Sequence, residues 1–429
     1  MTVAASVGAK AFSVGCTLAQ VPLALHYLGA ESYGFWVTIS SAALVLNFVD
    51  FGVGVGMQHA MARAFGNEDS AAMRRVFWTG TCLLAAIGLA VVAVGVPAAF
   101  ALPWADLLQV RDAALRSEAP AALALSVVMV AAALPFNAVA RLAAALQRGW
   151  VQAGWIAAGS ALSLVLVAAA VVLRWGFLGF LAASLAVPVL QGAGLLLQLL
   201  RALGWSLVPS GMAPAAEVRA MLRSSLYFAL PQFGQALAQS APALAISVAA
   251  GSSAVTAFNL AARLFSPLQQ AQLILLTPVW PAYTEAHARG EAAWISRAFW
   301  RTVAATGGLA AGVALLSWQY AWLLRLWIGT RVVLPGARLV ALAALWTVLQ
   351  MAAQPMIYFL VGIGRLRRLA WSATPGFLLA SAALFWGAAS GTSENVLSAG
   401  SIGLAAALIL PLSMETLFTV QRGGPGGND

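Results

Sequence analysis

The sequence predicts an all-α polytopic membrane protein of about 12 transmembrane helices, arranged as two parallel six-helix halves around a central cavity. Three observations predict it: a composition too apolar for water, twelve long apolar runs, and a loop pattern that occurs twice. Of the 429 residues, 62% are hydrophobic and 8% are charged. An ordinary soluble domain carries about 25% charged residues, so a soluble chain of this length could not cover its surface with so few. A cytosolic enzyme, a nucleic-acid binder and a disordered protein are thereby excluded. The net charge of +10 would suggest nucleic acid in a soluble protein. Here it marks cytoplasmic loops, where Lys and Arg collect.

A membrane helix needs about 20 apolar residues. Twelve runs meet this, at residues 4–27, 33–60, 77–103, 119–141, 153–173, 177–200, 224–250, 254–278, 302–324, 337–363, 370–390 and 396–420. The first is longer than the apolar core of a removable signal peptide and carries Lys10, Gln20 and Pro22, so it reads as a true span. The expected organisation is an N-terminal six-helix bundle over 1–200, a cytoplasmic linker over 201–223, a C-terminal six-helix bundle over 224–420 and a disordered tail over 421–429. With both termini cytoplasmic, 15 arginines fall in inner loops and six (Arg111, Arg116, Arg174, Arg325, Arg331, Arg338) in outer loops. That asymmetry follows the positive-inside tendency, and the Arg325, Arg331 and Arg338 group runs against it.

Two of the predicted cytoplasmic loops share a pattern. Residues 62–78 read ARAFGNEDSAAMRRVFW and residues 286–300 read AHARGEAAWISRAFW. Each has Ala and Arg, then Gly, then an acid, then a short stretch ending Arg-x-Phe-Trp, and each follows the second span of its half. An even number of spans per half makes the repeat parallel. Such halves usually meet at a substrate site near the bilayer midplane.

The single lysine, Lys10, is followed by Ala11, whereas a phosphate-binding loop needs Gly-Lys followed by Ser or Thr. Cys16 and Cys82 lie in apolar runs, and His26, His59 and His287 are far apart, so no zinc-type cluster is read and no cofactor is expected. Enzymes that join sugars at the outer face need a sizeable outer domain, and the hydrophilic loops here are short. Transport is expected rather than catalysis.

Polar residues in lipid must face protein or water, and at steps of three and four they share a helical face. Such stripes are Ser6, Lys10, Ser13, Thr17 and Gln20; Ser40, Asn47, Asp50, Gly54 and Gln58; Gln232, Gln235 and Gln239; Thr256, Asn259, Arg263, Ser266 and Gln270; and Thr347, Gln350, Gln354 and Tyr358. Four of the five lie in the first two spans of each half, which the repeat makes equivalent, and together they imply a wet cavity between the halves. The plainer reading is interhelical bonding, at roughly 1–2 kcal/mol per bond or less.

Three charges ask for more. Arg263 lies about 14 Å from the outer end of its span, Asp50 a similar depth from the inner end of its own, and Lys10 about 10 Å inside the first. A charge at the bilayer centre costs about 2.5–3.5 kcal/mol on insertion scales. A structural ion pair, such as Asp50 with Arg263 or Lys10, would explain them; so would an anion-receiving cavity with a carboxylate able to take up a proton. Asp50 is the deep acid and the candidate for ion coupling, while Glu415 reads as interfacial. Pro22, Pro135, Pro188, Pro231, Pro242, Pro355 and Pro375 fall within the spans and permit kinks. Residues 51–56, FGVGVG, give the second span a flexible segment or a close-packing face.

Residues 21–56, VPLALHYLGAESYGFWVTISSAALVLNFVDFGVGVG, resemble the start of the polysaccharide exporters known as O-antigen flippases. That family has a proline-bearing first helix, then Leu-Gly, Tyr-Gly and Asp-x-Gly; here these are Pro22, Leu28-Gly29, Tyr33-Gly34 and Asp50-Phe51-Gly52. Residues 281–291 (PAYTEAHARGE) and 324–329 (LRLWIG) are similar to the family too. It shares a superfamily with multidrug extruders and the lipid II flippase, and this sequence has fewer cavity arginines than the latter would suggest. The resemblance implies a V-shaped pair of six-helix bundles with alternating access. Their cargo would be an undecaprenyl-diphosphate-linked oligosaccharide, carried from the cytoplasmic to the periplasmic leaflet of the bacterial inner membrane for O-antigen, capsule or exopolysaccharide synthesis. The family's charged cavity residues carry over to Lys10, Asp50 and Arg263.

The expected partners are that lipid-linked glycan, H+ or Na+, membrane lipid and other glycan-assembly membrane proteins, with no nucleic acid. The expected substrate-binding residues are Arg263, Lys10, Asn259, Gln232, Gln235, Gln239, Gln270, Gln350 and Gln354, with Asp50 coupling the ion. The alternatives are a cation-coupled multidrug antiporter of the same superfamily, which would carry more cavity acids, a membrane assembly partner without transport, and a sugar-joining enzyme.

Overall fold

The computed structural model describes residues 2–46, 52–207, 211–329 and 334–421. Its elements are α1 (Thr2–Leu46), α2 (Val53–Gly66), α3 (Ser70–Ala101), α4 (Trp104–Leu107), α5 (Ala113–Ala145), α6 (Gly149–Val172), α7 (Gly176–Leu203), α8 (Ala215–Ala250), α9 (Ser252–Leu276), α10 (Val279–Ala288), α11 (Ala292–Trp318), α12 (Tyr320–Ile328), α13 (Ala337–Gly362), α14 (Leu366–Ala388), α15 (Ser393–Gly403), a π-helical turn (Leu404–Ile409) and α16 (Leu410–Gln421). The described residues are helices and their connections, as the composition requires. In lipid only a helix or a closed barrel satisfies its own backbone. The protein is an all-α, multi-pass membrane protein.

Among the described residues, nine helices are long and apolar enough to cross a bilayer, against twelve predicted runs. The difference falls on the runs that carry polar stripes. The first two runs are joined in α1, which counts once, and neither α9 nor the described part of α8 meets the apolar criterion. α9 carries Asn259, Arg263, Gln269, Gln270 and Gln272 in 25 residues. The helices also outrun the apolar stretches: α5 has 33 residues, about 50 Å of helix against about 30 Å of hydrocarbon. Hydropathy marks the part in lipid, while hydrogen bonding continues the helix beyond it. Arg63, Arg74, Arg75 and Arg141, predicted in loops, therefore lie within α2, α3 and α5.

The chain divides into two compact units, Met1–Ala229 and Leu230–Asp429. In the first, α3 packs on α5, α1 on α6, and α7 on both α5 and α6. Met57, Met61, Phe77, Leu142 and Leu199 bury one apolar cluster there, and Phe35, Ile39, Leu115 and Leu181 a second. In the second unit, α9 packs on α11 and α13, and α14 packs on α15 and the π turn. Between membrane helices, packing of small residues replaces the hydrophobic effect as the driving force. A Cβ on Gly88 would lie 2.8 Å from the Ala131 carbonyl oxygen, and one on Gly376 would lie 2.6 Å from that of Ala407. These backbones meet because only glycine leaves room.

The repeat seen in the loops extends to backbone geometry. Gly29 interrupts α1 at φ 75°, ψ 173°, and Gly251 separates α8 from α9 at φ 83°, ψ 174°. The same spacing of 222 residues relates the next turn. Asn67, Glu68, Asp69 and Ser70 donate backbone bonds to Arg63, Phe65, Ala64 and Glu68, and Arg289, Gly290, Glu291 and Ala292 donate to Glu285, His287, Ala286 and Gly290. Glu68 takes φ 57° where Gly290 takes φ 72°. Phe77 and Phe299 are both buried behind this turn, with their neighbours Trp78 and Trp300 edge-on at 5.1 and 5.4 Å. A second turn repeats, at a spacing of 217. Leu146, Gln147 and Arg148 bond to Leu142, Ala144 and Ala143 as Ile363, Gly364 and Arg365 bond to Phe359, Val361 and Leu360.

Candidate substrate-binding helices

α8, α9 and α13 carry most of the predicted site, on residues of the second unit. α9 is the central one. Arg263 is the twelfth of its 25 residues, at the middle of the helix. The side chain is half-buried. Its Nε is buried and has no hydrogen-bond partner among the described residues. A buried guanidinium nitrogen left unbonded costs a desolvation penalty, and an anionic ligand is one way to recover it. Asn259 and Gln270, half-buried, stand one turn before and two turns after it on the same face.

On α8, Gln232 and Gln235 are half-buried and Gln239 is exposed. On α13, Gln350 and Gln354 are half-buried. Gln350 Nε2 donates to the Ala238 carbonyl at 3.5 Å, which brings α13 against the glutamine-bearing stretch of α8. Lys10 is half-buried on α1 of the first unit. Asn47 and Asp50 lie outside the described residues.

The stripes contain two kinds of group. Their hydroxyls bond within their own helices: Ser13 to the Ala9 carbonyl and Thr17 to that of Ser13, both at 2.9 Å, Ser266 to that of Arg263 at 2.9 Å, and Thr347 to that of Ala343 at 2.8 Å. Such i−4 and i−3 bonds satisfy Ser and Thr locally, so these four hydroxyls follow the plainer reading. Gln58 also has a protein partner, accepting from Arg141 Nη1 at 3.4 Å. Gln350 likewise donates to the Ala238 carbonyl, so Arg263, whose Nε has no partner among the described residues, is the group that most needs a polar ligand.

Sequence reasoning missed Gln272. It is 2% exposed, and its Nε2 donates to Thr306 Oγ1 at 3.0 Å and to the Met351 carbonyl at 2.7 Å, joining α9 to α11 and α13. Gln272 lies two residues beyond Gln270 and so on another side of the helix. The glutamine pair could not show from sequence which member faced protein. Glu415, expected at the interface, is held by two arginines, with Arg368 Nη1 at 3.3 Å and Arg365 Nη1 at 3.6 Å, while Arg365 also donates to Thr419 Oγ1 at 2.7 Å.

No protein-family model and no curated protein sequence matches the chain. Solved structures do. An inward-facing multidrug resistance MATE family transporter of the MOP superfamily superposes with TM-score 0.70 at 15% identity, over 98% of this chain and 99% of that one. A MOP superfamily transporter from Pyrococcus furiosus Vc1 (DSM3638), described as having a binding pocket of reverse polarity that suggests a different function, gives TM-score 0.66 at 15% identity, over 98% and 96%. The fold is that of the MATE transporters. An outward-facing multidrug resistance MATE family transporter also matches, with TM-score 0.63 at 16% identity over 97% of this chain and 96% of that one. Each of these matches runs over nearly the whole chain, both units included.

Proposed function

We propose that the chain is an exporter of an undecaprenyl-diphosphate-linked oligosaccharide in the bacterial inner membrane, coupled to H+ or Na+. The observation that carries this reading is Arg263, a guanidinium at the middle of α9 with a buried Nε that no described group bonds. The physical problem is to move a diphosphate and several sugars through about 30 Å of hydrocarbon. A planar guanidinium suits phosphate oxygens, so Arg263 receives the diphosphate, and Lys10 is the second cation. Asn259, Gln232, Gln235, Gln239, Gln270, Gln350 and Gln354 replace water at sugar hydroxyls. The polyprenyl tail stays in lipid, and Asp50 links release to the coupling ion. The MATE-like fold supports transport, and the sequence likeness to O-antigen flippases supports this cargo.

The second reading is a multidrug antiporter, favoured by the multidrug resistance transporters among the similar structures. Deleting the gene in its host and assaying extracted lipids separates the two. Undecaprenyl-linked oligosaccharide accumulating on the cytoplasmic face, with loss of surface glycan, supports the flippase. Unchanged lipid and glycan with impaired efflux of a cationic dye supports the antiporter. If Arg263→Ala and Asp50→Asn both retain wild-type glycan export in correctly inserted protein, the assignment of roles fails.

A further inference from the structure

The repeat exposes an asymmetry between the two units that transport does not explain. In the first unit, the connection between α3 and α5 carries its own counter-charges. Arg116 pairs with Asp106 and donates to the Val110 carbonyl at 2.9 Å, and Glu31 accepts from the backbone N–H groups of Arg111 and Asp112. The matching connection in the second unit, between α11 and α13, has none. No acid occurs from residue 292 to residue 393. Of the unit's described acids, Glu285 pairs with Arg289, Glu415 with Arg365 and Arg368, Glu394 bonds to Ser393 Oγ, and Glu291 lies at the opposite end of α11. Arg325 and Arg338 are exposed, and neither forms an ion pair among the described residues.

What surrounds Arg325 is apolar and aromatic. Trp322 and Leu326 share its side of α12 and are 62% and 71% exposed, and Trp318, at the end of α11, is 78% exposed. Leu324 and Ile328 face inward. α12 is thus an amphipathic nine-residue helix joining two spans at one membrane surface. Its free face combines indole rings, which favour the headgroup level, with guanidinium, which favours phosphate.

We propose that α12 and the first turn of α13 form a docking surface for the phosphate headgroups of anionic phospholipid. Arg325 and Arg338 hold phosphate, and Trp318, Trp322 and Leu326 lie beside the glycerol and upper acyl groups. The lipid supplies to Arg325 and Arg338 the negative charge that Asp106 supplies to Arg116 in the first unit.

The test uses the full-length protein in detergent and counts bound phosphatidylglycerol and phosphatidylcholine by native mass spectrometry. Wild type is expected to prefer phosphatidylglycerol and to lose the preference as NaCl is raised. Arg325→Gln with Arg338→Gln is expected to lower that affinity by about fivefold per charge. Arg116→Gln, an exposed arginine of the first unit already paired with Asp106, is expected to leave it unchanged. Equal binding of the two lipids by wild type, a preference indifferent to salt, or an equal loss in the Arg116 variant each overturns the proposal. A double variant that loses undecaprenyl phosphate but keeps phosphatidylglycerol also overturns it, because the surface would then serve a cargo. If the glutamine variants are not monodisperse, the wild-type preference and its salt dependence still decide. The readout is lipid binding, so it stands apart from any failure of glycan export.

Discussion

Gly29 and Gly251, 222 residues apart, hold the same backbone conformation, φ 75°, ψ 173° and φ 83°, ψ 174°. This region of φ and ψ is essentially reserved for glycine, and another residue there costs about 1–3 kcal/mol. A Cβ at Gly29 would meet nothing within 4 Å, so substitution there isolates the backbone term. Gly29→Ala is expected to destabilise the protein by about that amount, read as a lower midpoint in thermal unfolding of the purified protein. A midpoint equal to wild type would refute the strain argument.

Gln272 links three helices through one amide. In membrane proteins such bonds average about 0.6 kcal/mol and reach about 1.7 kcal/mol in double-mutant cycles. A cycle of Gln272→Leu and Thr306→Val is expected to show a coupling energy in that range. Additive effects would mean that the 3.0 Å bond contributes nothing in the bilayer.

Gly376 faces the π turn, where Pro411 lacks the N–H that would continue an α-helical bond to the Ala407 carbonyl. A Cβ on Gly376 would lie 2.6 Å from that oxygen and 2.8 Å from Leu408 Cα. Both are backbone atoms, so no side chain can swing aside. Gly376→Ala is expected to cost about 1–3 kcal/mol. Gly149→Ala, with nothing within 4 Å, is the matched control and is expected to keep the wild-type unfolding midpoint.

Arg263→Lys separates charge from shape. A lysine keeps the positive charge and loses the planar, bidentate fork. The expected outcome is export between those of wild type and Arg263→Ala, measured as surface glycan in a complemented deletion strain. Wild-type export by the lysine variant would reduce the role of residue 263 to charge alone.

Much of this architecture is legible in the sequence because hydrophobicity and the 3.6-residue period are local signals. Residues 62–78 and 286–300 exposed the repeat because Arg-x-Phe-Trp is an uncommon string, and the structure shows why it repeats: Phe77 and Phe299 are buried behind the same turn. The second repeated turn, at Gln147 and Gly364, is not legible in the sequence because its bonded residues share a backbone shape and a single side chain type, Arg148 and Arg365. Hydroxyls and amides looked alike in the stripes. Ser266 and Thr347 are spent on their own helices, and only coordinates distinguish a serine that bonds its preceding turn from one that looks outward. Gln272 was hidden for the opposite reason, since its partners come from two other helices far along the chain.

The two spacings carry a record of how the halves have diverged. From Gly29 to Asp69 and from Gly251 to Glu291 the chain has the same length, so the two stretches differ with no net gain or loss of residues. The spacing then falls from 222 to 217 before Leu146 and Ile363, so five residues have been gained or lost in net between those turns. That interval also contains α4 in one unit and the longer α12 in the other. At the spacing of 222 residues Lys10 corresponds in sequence to Gln232 and Asp50 to Gln272, so the entry segments of the two halves differ in chemistry at equal length. A hybrid exchanging residues 29–69 for 251–291 would thus preserve chain length while swapping the polar residues of one half for those of the other.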